Sequence, residues 1–246
     1  MSRTSLPSQS IPSAAPQART FAPRPCRGVA LTACFAVVLL LLSRWVDLPL
    51  TYAIERHVSE QVNDVFEQIG DLGDTATYVW AGLLLYAVSL VGIRRGWACP
   101  LKAGFEQLAR YSMLLLGTMT IGGLVTLALK RIVARARPDL LLEQGLHGLG
   151  APFAGEPYDS FPSSHTLTAF AVAAVIGHIA PRWRLPVLAL AAVVAASRVI
   201  NRDHFLSDVT AAAFIGIMVA HYLAPYILGS QYRWMLRTPW RWRSKD

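Results

Sequence analysis

Six polar residues in the second half of the chain have the types and spacing needed for chemistry on an anion. They lie in three short blocks between or beside hydrophobic runs: Lys130, Arg137, Ser163, His165, Arg198 and His204. Basic and imidazole side chains are costly close to membrane spans, and where they occur there they usually mark a functional site. We therefore expect these blocks to carry the chemistry of the protein.

The first block contains a pair of cations suited to a phosphate. Lys130 and Arg137 are seven residues apart, which is two helical turns, so we expect them to share one face near the end of a helix. Pro138 should end this helix at Arg137. A compact ammonium and a bidentate guanidinium together match the oxygens of a phosphate. Arg131 and Arg135 would lie on other faces, where they could meet anionic lipid.

The second block combines two serines with a histidine at the start of an apolar run. Ser163 or Ser164 could cap the following helix, whose unpaired amides can also bind an anion. For Ser163 taken alone, capping is the simpler interpretation. His165 lies in the first turn and adds an imidazole that can act as an acid near neutral pH.

The third block contains an imidazole and a carboxylate four residues apart. We expect His204 and Asp208 to lie one above the other at the start of a helix. Asp208 could then hold one imidazole nitrogen and leave the other free to attack, although a simple ion pair is the alternative. Arg198 can reach the same anion. Because no group of carboxylates suggests a metal, we predict that Lys and Arg stabilise the charge, with no metal and no cofactor.

The elements that position these residues are predicted to be membrane helices. Of 246 residues, 54% are hydrophobic and only 15% are charged, which is typical of an all-α polytopic membrane protein. Six spans are predicted, at residues 28–46, 77–94, 110–130, 164–180, 184–198 and 206–228. The net charge of +8 is scattered between these runs, which argues against a nucleic-acid partner.

The charges between the spans predict domain limits and orientation. We expect a disordered cytoplasmic tail at 1–25, a six-span domain at 26–230 and a basic cytoplasmic tail at 231–246. With both termini cytoplasmic, all three blocks fall on the outer face. The fifth span is predicted to be the shortest, which would place Arg198 at head-group depth. The first connection, from Val58 to Ile69, is predicted to be an amphipathic surface helix or a connecting helix packed on the bundle.

The three blocks together resemble a known family. Lys130-x6-Arg137-Pro138, Pro162-Ser163-Ser164-His165 and Ser197-Arg198-x5-His204-x3-Asp208 are similar to the three motifs of the type 2 phosphatidic acid phosphatase (PAP2) family, which shares its site with vanadium-dependent haloperoxidases. The resemblance implies a six-span helical bundle with a PAP2/haloperoxidase-like core.

The resemblance also implies a role for each residue. His204 would be the nucleophile that forms a phosphohistidine, Asp208 would orient it, and His165 would protonate the leaving group. The phosphoryl oxygens would be held by the following groups: Lys130, Arg137, Ser163, Arg198 and the backbone amide of Ser164. The family usually has glycine at the position of Ser164. If the backbone at this position requires a positive φ, serine is energetically less favourable there than glycine.

The expected function is hydrolysis of a lipid phosphate at the outer face of a bacterial-type inner membrane. The motif residues contact only the phosphate, so undecaprenyl diphosphate, phosphatidylglycerol phosphate, lipid A and phosphatidate remain open as substrates. Two alternatives also remain: a phosphotransferase that passes the phosphate to another lipid head group, and an inactive membrane or transport protein. The partners are therefore the bilayer and a phosphorylated lipid, and the oligomeric state is open.

Overall fold

Helices account for most of the computed structural model, which describes residues 25–96 and 99–229. The predicted tails 1–25 and 231–246 lie almost wholly outside the described residues. The helices are α1 (Pro25–Trp45), α2 (Asp47–His57), α3 (Glu60–Asp71), α4 (Thr75–Arg94), α5 (Cys99–Val133), α6 (Pro138–Gln144), α7 (Ser164–Ile179), α8 (Arg184–Ile200) and α9 (Leu206–Leu228). A 3₁₀ turn, Pro181–Trp183, precedes α8. The prediction of an all-α membrane protein is confirmed.

The number of spans differs from the predicted six when it is judged by length and composition. Four helical stretches of the described chain are long and apolar enough to cross a membrane: Glu60–Arg94, Gly104–Val133, Pro181–Ile200 and Leu206–Leu228. The pair Val29–Trp45 and Asp47–His57, bent by 49°, makes a fifth if it is one span. Ser164–Ile179 is apolar but shorter. A count of six therefore stays a prediction.

The shortest apolar helix is α7, not α8 as the sequence predicted. α7 has 16 residues, whereas α8 has 17 and continues the 3₁₀ turn before it. α7 packs against α5, α8 and α9, which makes it the central helix of this part of the chain. Its buried residues include many alanines, and at Gly216 of α9 an added Cβ would lie only 2.9 Å from the carbonyl oxygen of Leu167. Small residues of this kind let membrane helices approach closely.

The first connection forms a helix packed on the bundle. α3 lies against α8, and Ile69 packs on a cluster formed by residues of α7 and α8. Val62 and Val65, which lie on the same helical face as Ile69 but nearer the start of α3, remain exposed. The corner between α3 and α4 contains Gly70 and Gly73, and this corner contacts residues of the predicted site.

Candidate active site

The first basic block does not continue the helix. α5 ends at Val133, Ala134 takes a positive φ of 45°, and Arg137 lies in extended backbone directly before α6. The predicted shared helical face of Lys130 and Arg137 is therefore wrong, although Pro138 does open a new helix as its fixed φ favours. The amides of Ala136 and Arg137 donate to the carbonyls of Gly148 and Pro157, so the outer connection holds this segment in place.

The two cations of this block still converge, because both contact Asp159. Arg137 donates from Nε and Nη2 to the two carboxylate oxygens of Asp159, at 2.7 and 3.2 Å. Lys130 Nζ lies 3.5 Å from the carboxylate and also donates to the backbone carbonyl of the same residue. Burial alone would raise the pKa of Asp159, but the hydrogen bonds and charges of Arg137 and Lys130 outweigh it and lower this pKa. Asp159 is therefore ionised at neutral pH.

Arg198, close to the end of α8, has one partner and one unused donor. Its Nη2 lies 2.7 Å from Oδ2 of Asp203, whereas its buried Nε has no hydrogen-bond partner among the described residues. This Nε–H is therefore able to donate to a further acceptor. Gly70 packs directly on this side chain, since an added Cβ would lie 2.5 Å from Nη1 of Arg198.

The second block opens α7 as the sequence indicates. Ser163 is the N-cap residue, and its fully buried hydroxyl accepts the amide of Thr166 at 3.4 Å. This capping contact leaves the hydroxyl hydrogen able to donate. Ser164 is the first helical residue, and positive φ among the described non-glycine residues occurs only at Ala134, Phe153 and Arg202. Serine at position 164 therefore causes no backbone strain.

His165 lies in the first turn of α7, close enough to Arg198 and Asp203 for their charges to act on it. Gly73 fixes this position, because a Cβ there would lie 2.9 Å from both the Cβ and the carbonyl oxygen of His165. The sequence did not indicate that the α3–α4 corner contributes to the site.

His204 precedes α9 and is held by a backbone group. Its Nδ1 lies 2.7 Å from the carbonyl oxygen of Ser160. A carbonyl oxygen can only accept, so Nδ1 carries the proton and Nε2 keeps its lone pair. Burial holds the pKa of His204 well below its ordinary value, and the charges of Lys130 and Arg137 lower it further, against the opposing effect of the Ser160 bond. The ring is thus a neutral base or nucleophile at neutral pH.

Asp208 does not hold His204 in the expected way. α9 begins at Leu206, so the two residues are not stacked on one helix. Asp208 accepts the backbone amide of Phe205 at 2.9 Å and the hydroxyl of Ser160 at 2.6 Å. Ser160 therefore joins the two: its hydroxyl contacts Asp208 and its carbonyl contacts His204. Asp208 can therefore orient His204 only indirectly, by holding Ser160, whose carbonyl accepts from the imidazole.

The expectation that Arg135 could meet anionic lipid is wrong, because its side chain is buried. Nη1 of Arg135 donates to Oδ1 of Asp208 at 2.5 Å, and Nη2 donates to Oδ2 of Asp47 at 2.8 Å. Its guanidinium also lies 4.3 Å from the ring centroid of Phe205, within the range of a cation–π contact. Asp47 additionally accepts the amide and the hydroxyl of Ser207. Arg131, by contrast, is exposed as expected.

We call the four side chains of Asp47, Arg135, Ser160 and Asp208 the buried polar network. Three of its members were missed from sequence: Asp47, Arg135 and Ser160. Asp47 follows the first apolar run, and an isolated carboxylate at that place was a usable signal. The described residues contain no group of three or more His, Cys, Asp or Glu side chains that could hold a metal ion.

These contacts define a class of protein: a helical membrane protein with one neutral histidine beside three cations. Residues 111–232 match the model of the PAP2 superfamily. The chain is 31% identical over 156 residues to a lipid A 1-phosphatase of Rhizobium johnstonii, and 30% identical over 156 residues to that of Rhizobium etli. Each alignment covers 63% of this chain, and they cover 64% and 67% of the relatives. The chain therefore spans about two thirds of the length of these relatives.

Two solved structures share the fold. The crystal structure of Aquifex aeolicus LpxE superposes with a TM-score of 0.52 at 20% identity, covering 73% of this chain and 95% of that one. A PAP2-type phosphatidylglycerolphosphate phosphatase from Bacillus subtilis gives 0.57 at 20% identity, covering 87% and 98%. The chain belongs to the PAP2 superfamily, and the resemblance inferred from its motifs is confirmed.

Proposed function

We propose that the protein is a membrane lipid phosphatase that transfers the phosphoryl group of a lipid phosphate to His204 and then to water. The observation that carries this proposal is the protonation state of His204. Its Nδ1–H is directed to the carbonyl of Ser160, so the lone pair of Nε2 is available for attack beside Lys130 and Arg137. Family membership supports the same chemistry.

The first step forms the phosphohistidine. Nε2 of His204 attacks phosphorus, the bond from phosphorus to the lipid oxygen breaks, and the His165 imidazolium gives its proton to that oxygen. Negative charge on the phosphoryl oxygens is balanced by Lys130, Arg137 and Arg198. Nε of Arg198, which is buried and has no hydrogen-bond partner in the part of the chain that the structure describes, is available to one of these oxygens. The hydroxyl of Ser163 and the amide of residue 164 complete the donor set.

The second step regenerates the enzyme. Water attacks phosphorus while the now neutral His165 accepts its proton, and the bond between phosphorus and Nε2 breaks. Inorganic phosphate then leaves. No cofactor is needed in either step, and the positive side chains provide the electrostatic stabilisation that a metal provides in other phosphatases.

Lipid A is the substrate that we propose first among the four lipids left open by the motifs. Both Rhizobium relatives are named as lipid A 1-phosphatases. The test is a panel of lipid A, undecaprenyl diphosphate, phosphatidylglycerol phosphate and phosphatidate, each labelled in the terminal phosphate. Release of label as inorganic phosphate supports hydrolysis, whereas label on a second lipid would identify a phosphotransferase. If none of the four lipids is turned over, the protein is not the phosphatase proposed.

The nucleophile is tested by substitution. His204→Ala should abolish turnover and the acid-labile phosphoenzyme, whereas His57→Ala, an exposed imidazole on α2, should change neither. Unaltered turnover in a folded His204→Ala protein would refute the assignment. His165→Ala should lose more rate with a poor leaving group than with a good one, and equal losses would remove His165 from the role of acid.

The orientation that we propose places the site outside a bacterial inner membrane, with both termini in the cytoplasm. It rests on the basic residues outside the spans. Glu156 has an exposed side chain 3.7 Å from Arg137, so a cysteine at this position reports the side on which the site lies. In a background without the native cysteines, a membrane-impermeant thiol reagent should label Glu156→Cys in intact spheroplasts. Labelling only after lysis would show that the site lies on the cytoplasmic side instead.

A further inference from the structure

The candidate phosphate site already contains carboxylates of the chain itself. Asp159 lies between Arg137 and Lys130, and Asp203 lies against Arg198. Each of the three cations proposed to bind the phosphoryl group is therefore paired with an anion. These contacts differ from those of the buried polar network, because Asp159 is 28% exposed and its carboxylate can exchange with an incoming anion.

The contact of Asp159 with Arg137 has the geometry that a phosphate would use. Two nitrogens of the guanidinium donate to the two oxygens of the carboxylate. This parallel arrangement is how arginine binds both carboxylates and phosphates. The same carboxylate lies 3.5 Å from Lys130. A substrate phosphate that takes this bidentate position on Arg137 therefore displaces Asp159.

We propose that Asp159 is a specificity-determining residue that excludes phosphodiester anions and admits terminal phosphates. This inference rests on the proposed function. A phosphodiester carries one negative charge, the same as the carboxylate it would replace, so the exchange gains little Coulomb energy. A terminal phosphate carries about 1.5 to 2 negative charges at pH 7 and gains more from the same cations. Bulk phospholipid head groups are diesters, so a site that binds a lipid phosphate in a bilayer has to discriminate against them.

Glu156 provides a matched control for this proposal. Its carboxylate lies 3.7 Å from Nη1 of the same Arg137, but its side chain is 75% exposed. A charge so open to solvent is screened and contributes little. Glu156→Gln therefore removes one negative charge near the same cation without opening the bidentate position, and Asp159→Asn removes the charge that occupies it.

The experiment measures inhibition of lipid phosphate hydrolysis in neutral mixed micelles. Phosphatidylglycerol is the diester probe and inorganic phosphate is the probe with the higher charge. In Asp159→Asn we expect phosphatidylglycerol to inhibit at a surface fraction about tenfold lower than in the wild type or in Glu156→Gln. The inhibition constant of inorganic phosphate should tighten by a similar factor, because both anions displace the same carboxylate. The change in each constant relative to Glu156→Gln is therefore the quantity that reports Asp159.

Two results would overturn the proposal. One is that neither inhibition constant tightens in Asp159→Asn. The other is weaker binding of both probes together with a raised KM, which would mean that Asp159 holds Lys130 and Arg137 in place instead. Asp159→Ser is the second variant if the asparagine protein does not fold, and it also keeps the backbone carbonyl that Lys130 contacts.

Failure of the proposed function can be told apart from failure of this inference. Calorimetric binding of inorganic phosphate and of a short-chain phosphatidylglycerol needs no turnover. If the wild type hydrolyses no lipid phosphate and binds phosphate but no diester, and Asp159→Asn binds both, the proposed function falls and the role of Asp159 stands. If hydrolysis occurs and both proteins bind the diester equally, the role of Asp159 falls and the proposed function stands.

Discussion

Replacing Arg135 with methionine should strongly destabilise the protein. The guanidinium is the shared partner of Asp47 and Asp208, and the carboxyl side chains of both residues are 0% exposed. Arg135→Met leaves these two carboxylates buried without their cation. Removing one partner of a buried ion pair costs about 3–5 kcal/mol, because the remaining charge stays desolvated.

The expected shift can be measured by thermal unfolding in detergent. For a chain of this length, 1 kcal/mol corresponds to about 2–4 °C, so a loss of about 3–5 kcal/mol lowers the Tm by about 6–20 °C. Intrinsic tryptophan fluorescence is a suitable signal, since the chain contains 7 Trp residues. The matched control is Arg131→Met, because Arg131 lies in the last turn of α5, four residues before Arg135, and is exposed. Its free energy of unfolding should change by no more than about 0.5 kcal/mol.

A double variant tests whether the loss comes from the unpaired carboxylates. Asp47→Asn combined with Arg135→Met removes one of the two buried charges left by the single change. The double variant should therefore be less destabilised than the sum of the two single changes, by roughly 0.5–3 kcal/mol. The reasoning is refuted if Arg135→Met lowers the Tm no more than Arg131→Met, or if the two single changes simply add.

Four further predictions follow from the site. Gly73→Ala should lower the free energy of unfolding by about 1–3 kcal/mol and reduce turnover, because the added Cβ would collide with His165. The control is Gly123→Ala, which should be neutral or slightly stabilising because nothing lies within 4 Å of the added Cβ. Ser164→Gly should lower stability by about 0.5–1 kcal/mol without raising turnover, since residue 164 is helical; a marked gain in rate would show that glycine is needed there. The fall in kcat/KM on the acid side of the pH profile should occur well below pH 6.5, because the pKa of His204 is lowered and its neutral, attacking form persists as the pH falls. A fall in kcat/KM at or above pH 6.5 would contradict this prediction. Turnover should persist in EDTA, and a strict metal requirement would overturn the proposed mechanism.

The sequence was sufficient to predict the class of fold and the family. Apolar runs long enough to span, separated by short polar segments, predict membrane helices whatever their packing. The family motifs then identified the chain, and the comparisons confirmed that identification. Both of these signals are local, and they survive an error in the exact ends of the helices.

The arguments that failed to place side chains assumed that a helix continues through its end. Spacings of seven and four residues put side chains on one face only within a helix, and Arg137 and His204 lie outside their helices. Arg135 was assigned to a lipid-facing surface on the same assumption. Its burial depends on Asp47, which is 88 residues away in the chain, and no local pattern contains that contact.

The site contains non-helical segments whose backbone polar groups need hydrogen-bond partners. In a bilayer, backbone outside helices is tolerated only where protein or water satisfies its polar groups. The segments at 134–137, 148–160 and 201–205 meet this condition by bonding to one another and to the ends of α8 and α9. Ser160 shows this most clearly: its amide donates to the carbonyl of Arg135, its carbonyl accepts from His204, and its hydroxyl donates to Asp208. The bonds that satisfy this irregular backbone therefore include the one that fixes the tautomer of His204. Within this site, the stability of the irregular segments and the position of His204 depend on connected contacts.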